Sequence, residues 1–267
     1  MTPVTLITGA SSGIGIELAR VFASHGHELV LVARRQRELT DLAEEIAGKG
    51  AKRPIVLAVD LGERDAVTRI VAEMKSRDRE PAYLVNNAGF GLAGPSAMLD
   101  CGEQLAMIDV NVRALTELTL TFADSVVRHR GGILNVASVA SFIPGPGMAV
   151  YYASKAYVLS FSQALHSELS RRGVRVTALC PGPVPTGFQS RAGIRASTGG
   201  QTTMLVIPAR RVAEIGYDAL VRGKRVVVAG FGNRIVVFFM RFLPHVLLLP
   251  LIKARMRFAS KANAQTL

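Results

Sequence analysis

The chain has 267 residues, 49% apolar and 19% charged, a balance that excludes a disordered chain and lets a sizeable core form without disulfides or metals. Basic residues outnumber acidic ones by 32 to 20, but residues 1–168 hold 16 of one and 18 of the other. The excess lies in residues 169–267, with 16 Lys and Arg against only Glu214 and Asp218, so an anionic partner is expected for that third and not for the body.

In chain order, short apolar runs alternate with longer amphipathic ones. Val4–Thr8 reads as a strand, and 14–25 as a helix with Leu18, Ala19 and Phe22 on its apolar side. A strand at 28–33, a helix at 37–49, a strand at 55–59 and a helix at 64–75 follow. The spacing then predicts a strand at 83–85, one long helix from about Glu103 to Arg128, a strand at 133–137 and a helix at 149–171. Strands at 174–179 and 225–229 enclose a helix at 208–221. Near-continuous apolar strands separated by helices need crossovers on both sheet faces. The expectation is an α/β fold: a doubly wound parallel sheet of about seven strands in one domain, residues 1–230, with a helical extension at 231–267. The stretch 182–203, rich in Gly, Ser, Thr and Pro, is too long for a plain connection and is a candidate lid.

The first strand-to-helix turn reads Thr8-Gly9-Ala10-Ser11-Ser12-Gly13-Ile14-Gly15. Glycines permit a sharp turn and close backbone approach, and the following helix aims free N–H groups at the turn, so a phosphate suits it. The spacing G-x-x-x-G-x-G differs from the common G-x-G-x-x-G, and packing alone could demand such a turn. Its place after the first strand favours a dinucleotide, with Gly9, Ser11, Ser12, Gly13, Ile14 and Gly15 as the cradle. The second strand ends in Ala33-Arg34-Arg35, with no acid before Glu38. An NAD site usually offers an acid there for the ribose hydroxyls, whereas paired guanidinium groups suit a 2′-phosphate. NADP(H) is therefore the expected cofactor; the competing reading makes Arg34 and Arg35 ordinary solvated charges.

Tyr151 and Lys155 stand four apart on a predicted helix and share a face. Ser138, at the end of the fifth strand, falls at the same carboxyl edge of the sheet. A phenol is a poor base near neutrality, and an adjacent ammonium lowers its pKa. Tyr151 is thus expected to exchange a proton with a carbonyl oxygen, Lys155 to tune it and hold a ribose, and Ser138 to bond the same oxygen. Tyr152 projects from another side and is assigned to packing or pocket lining.

These motifs resemble, in order, those of the short-chain dehydrogenase/reductase superfamily over residues 4–230: Thr8–Gly15, Asp60-Leu61, Asn86-Asn87-Ala88-Gly89, Asn111, Ser138, Tyr151-x-x-x-Lys155 and Pro181-Gly182-x-Val184-x-Thr186. The resemblance implies that Asp60, with Leu61 beside it, bonds the adenine amine, and that Asn87, Ala88 and Gly89 line the adenosine side and brace the sheet. It implies that Asn111 supports a water in a proton relay from Lys155, and that Pro181, Gly182, Val184 and Thr186 contact the nicotinamide end. It also implies a homodimer or homotetramer. The chain is most similar to bacterial general short-chain reductases with an extended C-terminus; hydroxysteroid and long-chain 3-ketoacyl reductases share the plan.

Other features carry less. Cys101 and Cys180 cannot build a disulfide framework or zinc cage, and with no signal peptide read at the start they suggest a cytosolic setting. His25, His27, His129, His166 and His245 lack ligand spacing, and no metal site is expected. The apolar run 235–252 is broken by Arg241, Pro244, His245 and Pro250, which argues against a spanning helix. At 247–261 an apolar stripe (Leu248, Ile252, Met256) runs beside a basic one (Lys253, Arg257, Lys261). That pattern suits subunit packing, a cover over an apolar pocket, or a membrane surface. Nucleic acid is not an expected partner. The reading is an NADP(H)-dependent oxidoreductase acting on an apolar carbonyl or secondary alcohol. Its rivals are a non-catalytic NADP(H) sensor that binds a partner through the basic tail, and a peripheral membrane reductase of lipid ketones.

Overall fold

The computed structural model describes residues 1–193 and 205–240. Seven strands form one parallel sheet: β1 (Thr2–Thr8), β2 (Leu29–Ala33), β3 (Ile55–Ala58), β4 (Arg79–Asn86), β5 (Gly132–Val136), β6 (Arg175–Cys180) and β7 (Val226–Val228), in the order β3-β2-β1-β4-β5-β6-β7. This is the doubly wound, Rossmann-like sheet expected from the alternation. Successive strand residues face opposite layers. Ile7, Leu31, Leu134 and Leu179 pack under α1 (Gly13–Ser24), α2 (Gln36–Gly48) and one further helix. Leu6, Val30, Leu84 and Ile133 pack under α3 (Ala66–Ser76) and two others.

The expected continuous helix over 103–128 is interrupted. α4 (Cys101–Ile108), capped by the Asp100 carboxylate accepting from the Glu103 N–H at 2.8 Å, runs into a π-helical turn at Asp109–Ala114 before α5 (Leu115–Arg128). A periodic pattern cannot register one wide turn, because the apolar stripe resumes beyond it. α6 (Ala149–Leu169) ends in a single 3₁₀ turn at Ser170–Arg172, two residues short of the expected end. β4 is longer than expected because its first residues, Arg79 and Glu80, are only partly buried and lack an apolar signature. A short α7 (Phe188–Arg191), then α8 (Ala209–Val221) and α9 (Phe231–Met240), complete the described residues. α8 completes the layer with α1 and α2; α5 and α6 complete the layer with α3.

The start of α9 is tied to the body. Asn233 is buried and donates from Nδ2 to Ala229 O (2.8 Å) and Leu205 O (3.1 Å). Phe231 beside it, and Phe238 and Phe239 farther along, remain largely exposed. The part of the candidate lid beyond Gly193, and the amphipathic stretch 247–261, lie outside the described residues. Among the described residues no helix is long and apolar enough to cross a membrane.

Candidate active site

β1 leads to β2 on one side and lies beside β4 on the other, so the loops from their carboxyl ends diverge and open a crevice there. The cleft has a volume of about 750 Å³, in the range of cofactor and substrate sites. Its floor is the glycine turn. Gly9 has φ +65°, which a side chain would strain, and a Cβ on Gly15 would overlap the Gly9 carbonyl oxygen. Thr8 Oγ1 accepts from the N–H groups of Asn87 (3.0 Å) and Ala88 (3.1 Å), while Asn87 Nδ2 donates to Thr8 O and Gly9 O. The turn and the end of β4 are thereby locked together.

Ser12 caps α1 without a side-chain hydrogen bond, and the first turn holds no acid. Ser11, Ser12, Gly13 and Ile14 face the cleft, so this helix end presents uncapped donors to it. Gly15 does not line the cleft: it sits behind the turn, where its missing side chain lets α1 approach. Gly15→Ala is expected to destabilise the fold by about 1–3 kcal/mol through overpacking, seen as a lowered thermal midpoint even without nucleotide.

At the adenosine end Arg34 and Arg35 are half exposed. Arg34 Nη1 lies 3.6 Å from Asp60 Oδ2, and Asp60 Oδ1 accepts from the Gly62 N–H at 2.9 Å. Arg35 Nη2 donates to Ser11 O at 2.9 Å and faces Glu38 at 3.4 Å. Leu61 lines the same end. The loop carrying Asp60 and Leu61 is held by Arg113, which donates from Nη2 to the carbonyls of Leu61, Gly62 and Glu63 and is itself anchored on Asp109 at 2.7 Å. Sequence reasoning passed over Arg113, since a helical Arg four from an Asp reads as a surface pair.

At the other end Ser138, Tyr151 and Lys155 share one wall. Ser138 caps a short turn, its Oγ accepting from Ala140 N–H at 3.1 Å. Ser141 Oγ accepts from Ser138 N–H and donates to Lys155 O at 2.7 Å, which fastens the end of β5 to α6. Lys155 is buried and its Nζ donates to Val136 O at 2.8 Å. Asn111, 1% exposed, lies behind the wall in the π turn. Its Nδ2 donates to Phe90 O and Ser154 Oγ, both at 3.0 Å, and its Oδ1 accepts from Phe90 N–H. A Cβ on Gly89 would meet both Asn111 Oδ1 (2.9 Å) and Lys155 Nζ (3.2 Å), so these two groups converge on that glycine.

The expected direction of the Tyr151 shift is reversed in the chain by itself. Burial pushes its hydroxyl up to about 12, against a downward pull from the Ser138 hydrogen bond. Burial also holds the Lys155 ammonium down to about 8. With both groups shielded from water, desolvation outweighs the attraction anticipated from the four-residue spacing. Cys180 is buried beside them, its thiol pushed up to about 12 by burial, which suits a packing residue and not a nucleophile. Among the described residues no cluster of His, Cys, Asp and Glu could hold a metal.

The family model for short chain dehydrogenases matches residues 3–195. The chain belongs to the short-chain dehydrogenase family. It is 36% identical over 250 residues to a sulfoacetaldehyde reductase of Chromohalobacter salexigens, covering 92% of this chain and 91% of that one. A solved short-chain dehydrogenase from Sphingobium yanoikuyae, in complex with NADPH, is 31% identical with a TM-score of 0.77 over 97% of this chain and 96% of that one. Another from Burkholderia phymatum, in complex with NAD, is 26% identical with a TM-score of 0.76 over 88% of this chain and 91% of that one. This short-chain dehydrogenase is therefore an oxidoreductase acting on carbonyl or alcohol groups with a nicotinamide nucleotide.

The residues of the cleft fit such a group: an uncapped helix end beside a glycine turn, arginines at one end and an apolar recess at the other. Pro181, Gly182, Val184 and Thr186 line the cleft after β6, with Val139 N–H donating to Pro181 O at 2.9 Å. The recess beside Tyr151 is formed by Phe90, Met148, Tyr152 and Phe188, whose ring lies 5.3 Å from that of Tyr151. Of these the sequence singled out only Tyr152, as packing or lining; Phe90 lies in a loop, and Met148 and Phe188 at helix starts, all outside the periodic runs. Ser141 left a legible trace, three residues after Ser138, as the second half of a capping pair.

Proposed function

We propose that this short-chain dehydrogenase is an NADP(H)-dependent enzyme that interconverts an apolar carbonyl compound and its secondary alcohol. The observation that carries the reading is the common cleft: two half-exposed arginines at its adenosine end, and Ser138, Tyr151 and Lys155 around an apolar recess at the other. When bound, the nicotinamide dinucleotide supplies or accepts the hydride. Tyr151 holds its proton across the neutral range and gives it to the carbonyl oxygen, with Ser138 bonding the same oxygen. The Lys155 ammonium favours the phenolate left behind and holds the ribose. Asn111 fixes the Phe90 backbone and supports the proton path from Lys155. Arg34 and Arg35 take the 2′-phosphate, Asp60 and Leu61 the adenine, the turn from Gly9 to Ile14 the pyrophosphate, and Pro181, Gly182, Val184 and Thr186 the nicotinamide. Residues 1–230 form the catalytic domain, and 231–267 an extension that covers the pocket or packs against another subunit of a cytoplasmic homodimer or homotetramer. The exposed Leu120 and Tyr157 on α5 and α6, and Phe238 and Phe239 on α9, offer apolar surface for such packing.

Fluorescence titration with NADPH and NADH tests the cofactor. NADPH is expected to bind more tightly, and the double change Arg34→Ala and Arg35→Ala to weaken it at least tenfold, since a hydrogen bond to a charged group contributes about 1.5–3 kcal/mol. Equal affinities in the unaltered protein overturn NADP(H). A carbonyl panel then tests the substrate. Faster turnover of sulfoacetaldehyde than of apolar ketones overturns the apolar preference.

A further inference from the structure

Phe188 and Arg191 stand three apart on α7, so they share a face of that turn. That face meets the loop after β4 at two adjacent residues. The Arg191 guanidinium carbon lies 4.3 Å from the centre of the Phe90 ring, and a Cβ on Gly91 would meet Phe188 (2.9 Å), Met148 (3.2 Å) and Tyr151 (3.2 Å). Main-chain hydrogen bonds fix the seat: Ala93 N–H donates to Ala192 O at 2.8 Å and Gly94 N–H to Gly147 O at 2.8 Å. Phe90 is itself held by Asn111, through both its N–H and its carbonyl. Arg191 thus sets a positive charge at the rim of the apolar recess beside Tyr151.

The other cations that line the cleft are engaged. Arg34 faces Asp60, Arg35 faces Glu38 and donates to Ser11 O, and Lys155 Nζ donates to Val136 O. Among the described residues no carboxylate lies within ion-pair distance of Arg191, and the one acid lining the cleft, Asp60, already faces Arg34 and the Gly62 N–H. A ring contact steadies a guanidinium but does not supply the paired oxygen acceptors that its fork of N–H donors matches. A carboxylate or sulfonate supplies them. In the reading above the nucleotide's phosphates fall to the glycine turn and to Arg34 and Arg35, so an oxyanion at Phe90 belongs to the compound that enters the recess.

We propose that Arg191 is a specificity-determining residue that binds an oxyanion, a carboxylate or sulfonate, carried by the substrate. The preferred carbonyl compound is then amphipathic: its carbonyl at Tyr151 and Ser138, its hydrocarbon against Phe90 and Phe188, and its acid at Arg191. This rests on the carbonyl reading above and narrows its substrate class. The apolar walls hold hydrocarbon without regard to charge, and the guanidinium selects the acidic member.

Steady-state rates of the full chain, taken with whichever nicotinamide nucleotide binds more tightly, make the test. The probes are 5-oxodecanoate, its methyl ester and sulfoacetaldehyde, each with wild type, Arg191→Met and Arg191→Lys. The acid and its ester share the carbonyl and the hydrocarbon, so their ratio isolates the charge. Wild type is expected to favour the acid in kcat/KM by about tenfold or more. Arg191→Met keeps an apolar stem over Phe90. It should raise KM for the acid about tenfold, leave the ester within twofold and leave the nucleotide Kd unchanged. Arg191→Lys should recover part of the loss, because the charge is kept and the fork is lost. Equal use of acid and ester by wild type overturns the proposal. So does a preference for the acid that persists in Arg191→Met, which assigns the anion to another group. A KM raised alike for acid and ester overturns it in favour of packing on Phe90, and a raised nucleotide Kd in favour of a cofactor contact. The two readings fail separately. If sulfoacetaldehyde is turned over faster than the keto acid and Arg191→Met removes that turnover, the apolar preference fails and the oxyanion contact stands. If the ester outruns the acid, the apolar preference stands and the oxyanion contact fails. No turnover of any probe by wild type overturns both.

Discussion

Tyr151→Phe is expected to lower turnover by about 10²–10⁴-fold while leaving NADPH affinity within twofold. The ring lies at the cleft wall, 5.3 Å from Phe188, so a phenyl group fills the same space and only the hydroxyl is lost. That hydroxyl is pushed up to about 12 by burial, so it is protonated across the neutral range and is ready to act as an acid in the reductive direction. Steady-state rates with any accepted carbonyl, paired with nucleotide titration, make the measurement. Near-normal turnover would remove Tyr151 from the chemistry.

Lys155 should produce the second large effect, and activity and stability should part company. Its ammonium is held down to about 8 by burial, against an ordinary value of 10.5. Reduction is expected to fall as pH rises through about 8, because the charge that favours the Tyr151 phenolate is then lost. Stability moves the other way. The unfolded chain holds the Lys155 proton up to 10.5 and the fold gives it up near 8, so the unfolded state binds more protons between those values. The penalty is fully present below about pH 8 and lifts as pH rises toward 10.5. Removing the amine in Lys155→Met should abolish the pH-dependent fall in activity along with most turnover. The variant's unfolding free energy relative to wild type should drop by about 3 kcal/mol across that window. The comparison with wild type cancels Cys180 and Tyr151, whose raised values act in the opposite direction at higher pH. Chemical denaturation at pH 7 and pH 10 is sufficient, and a difference that does not change with pH would show that Lys155 is not titrating as the geometry requires.

Much of the fold was legible because it rests on local pattern. Strands such as Leu29–Ala33 are buried on both faces and so are uniformly apolar, while α2 alternates Leu39, Leu42 and Ile46 with charges at helical spacing. The π turn was not legible: Asn111 reads as one polar residue on a helix, and its side chain there bonds the Phe90 backbone, a partner 21 residues away. The arginine pair at 34–35 could be read because its place after a strand carries the meaning. Arg191 could not, since it follows an aperiodic loop and acquires a partner only when Phe90 comes beneath it.

The sequence by itself determined the parallel sheet, the glycine turn, and the presence of Ser138, Tyr151 and Lys155 at one sheet edge. Each of these follows from residue type and spacing along the chain. Only the tertiary structure decided the protonation of that site, the recess of Phe90, Met148 and Phe188, and the seating of Arg191 over the Phe90 ring. Desolvation and ring contacts depend on what surrounds a group in space, and for these residues the surroundings come from segments far apart in the chain.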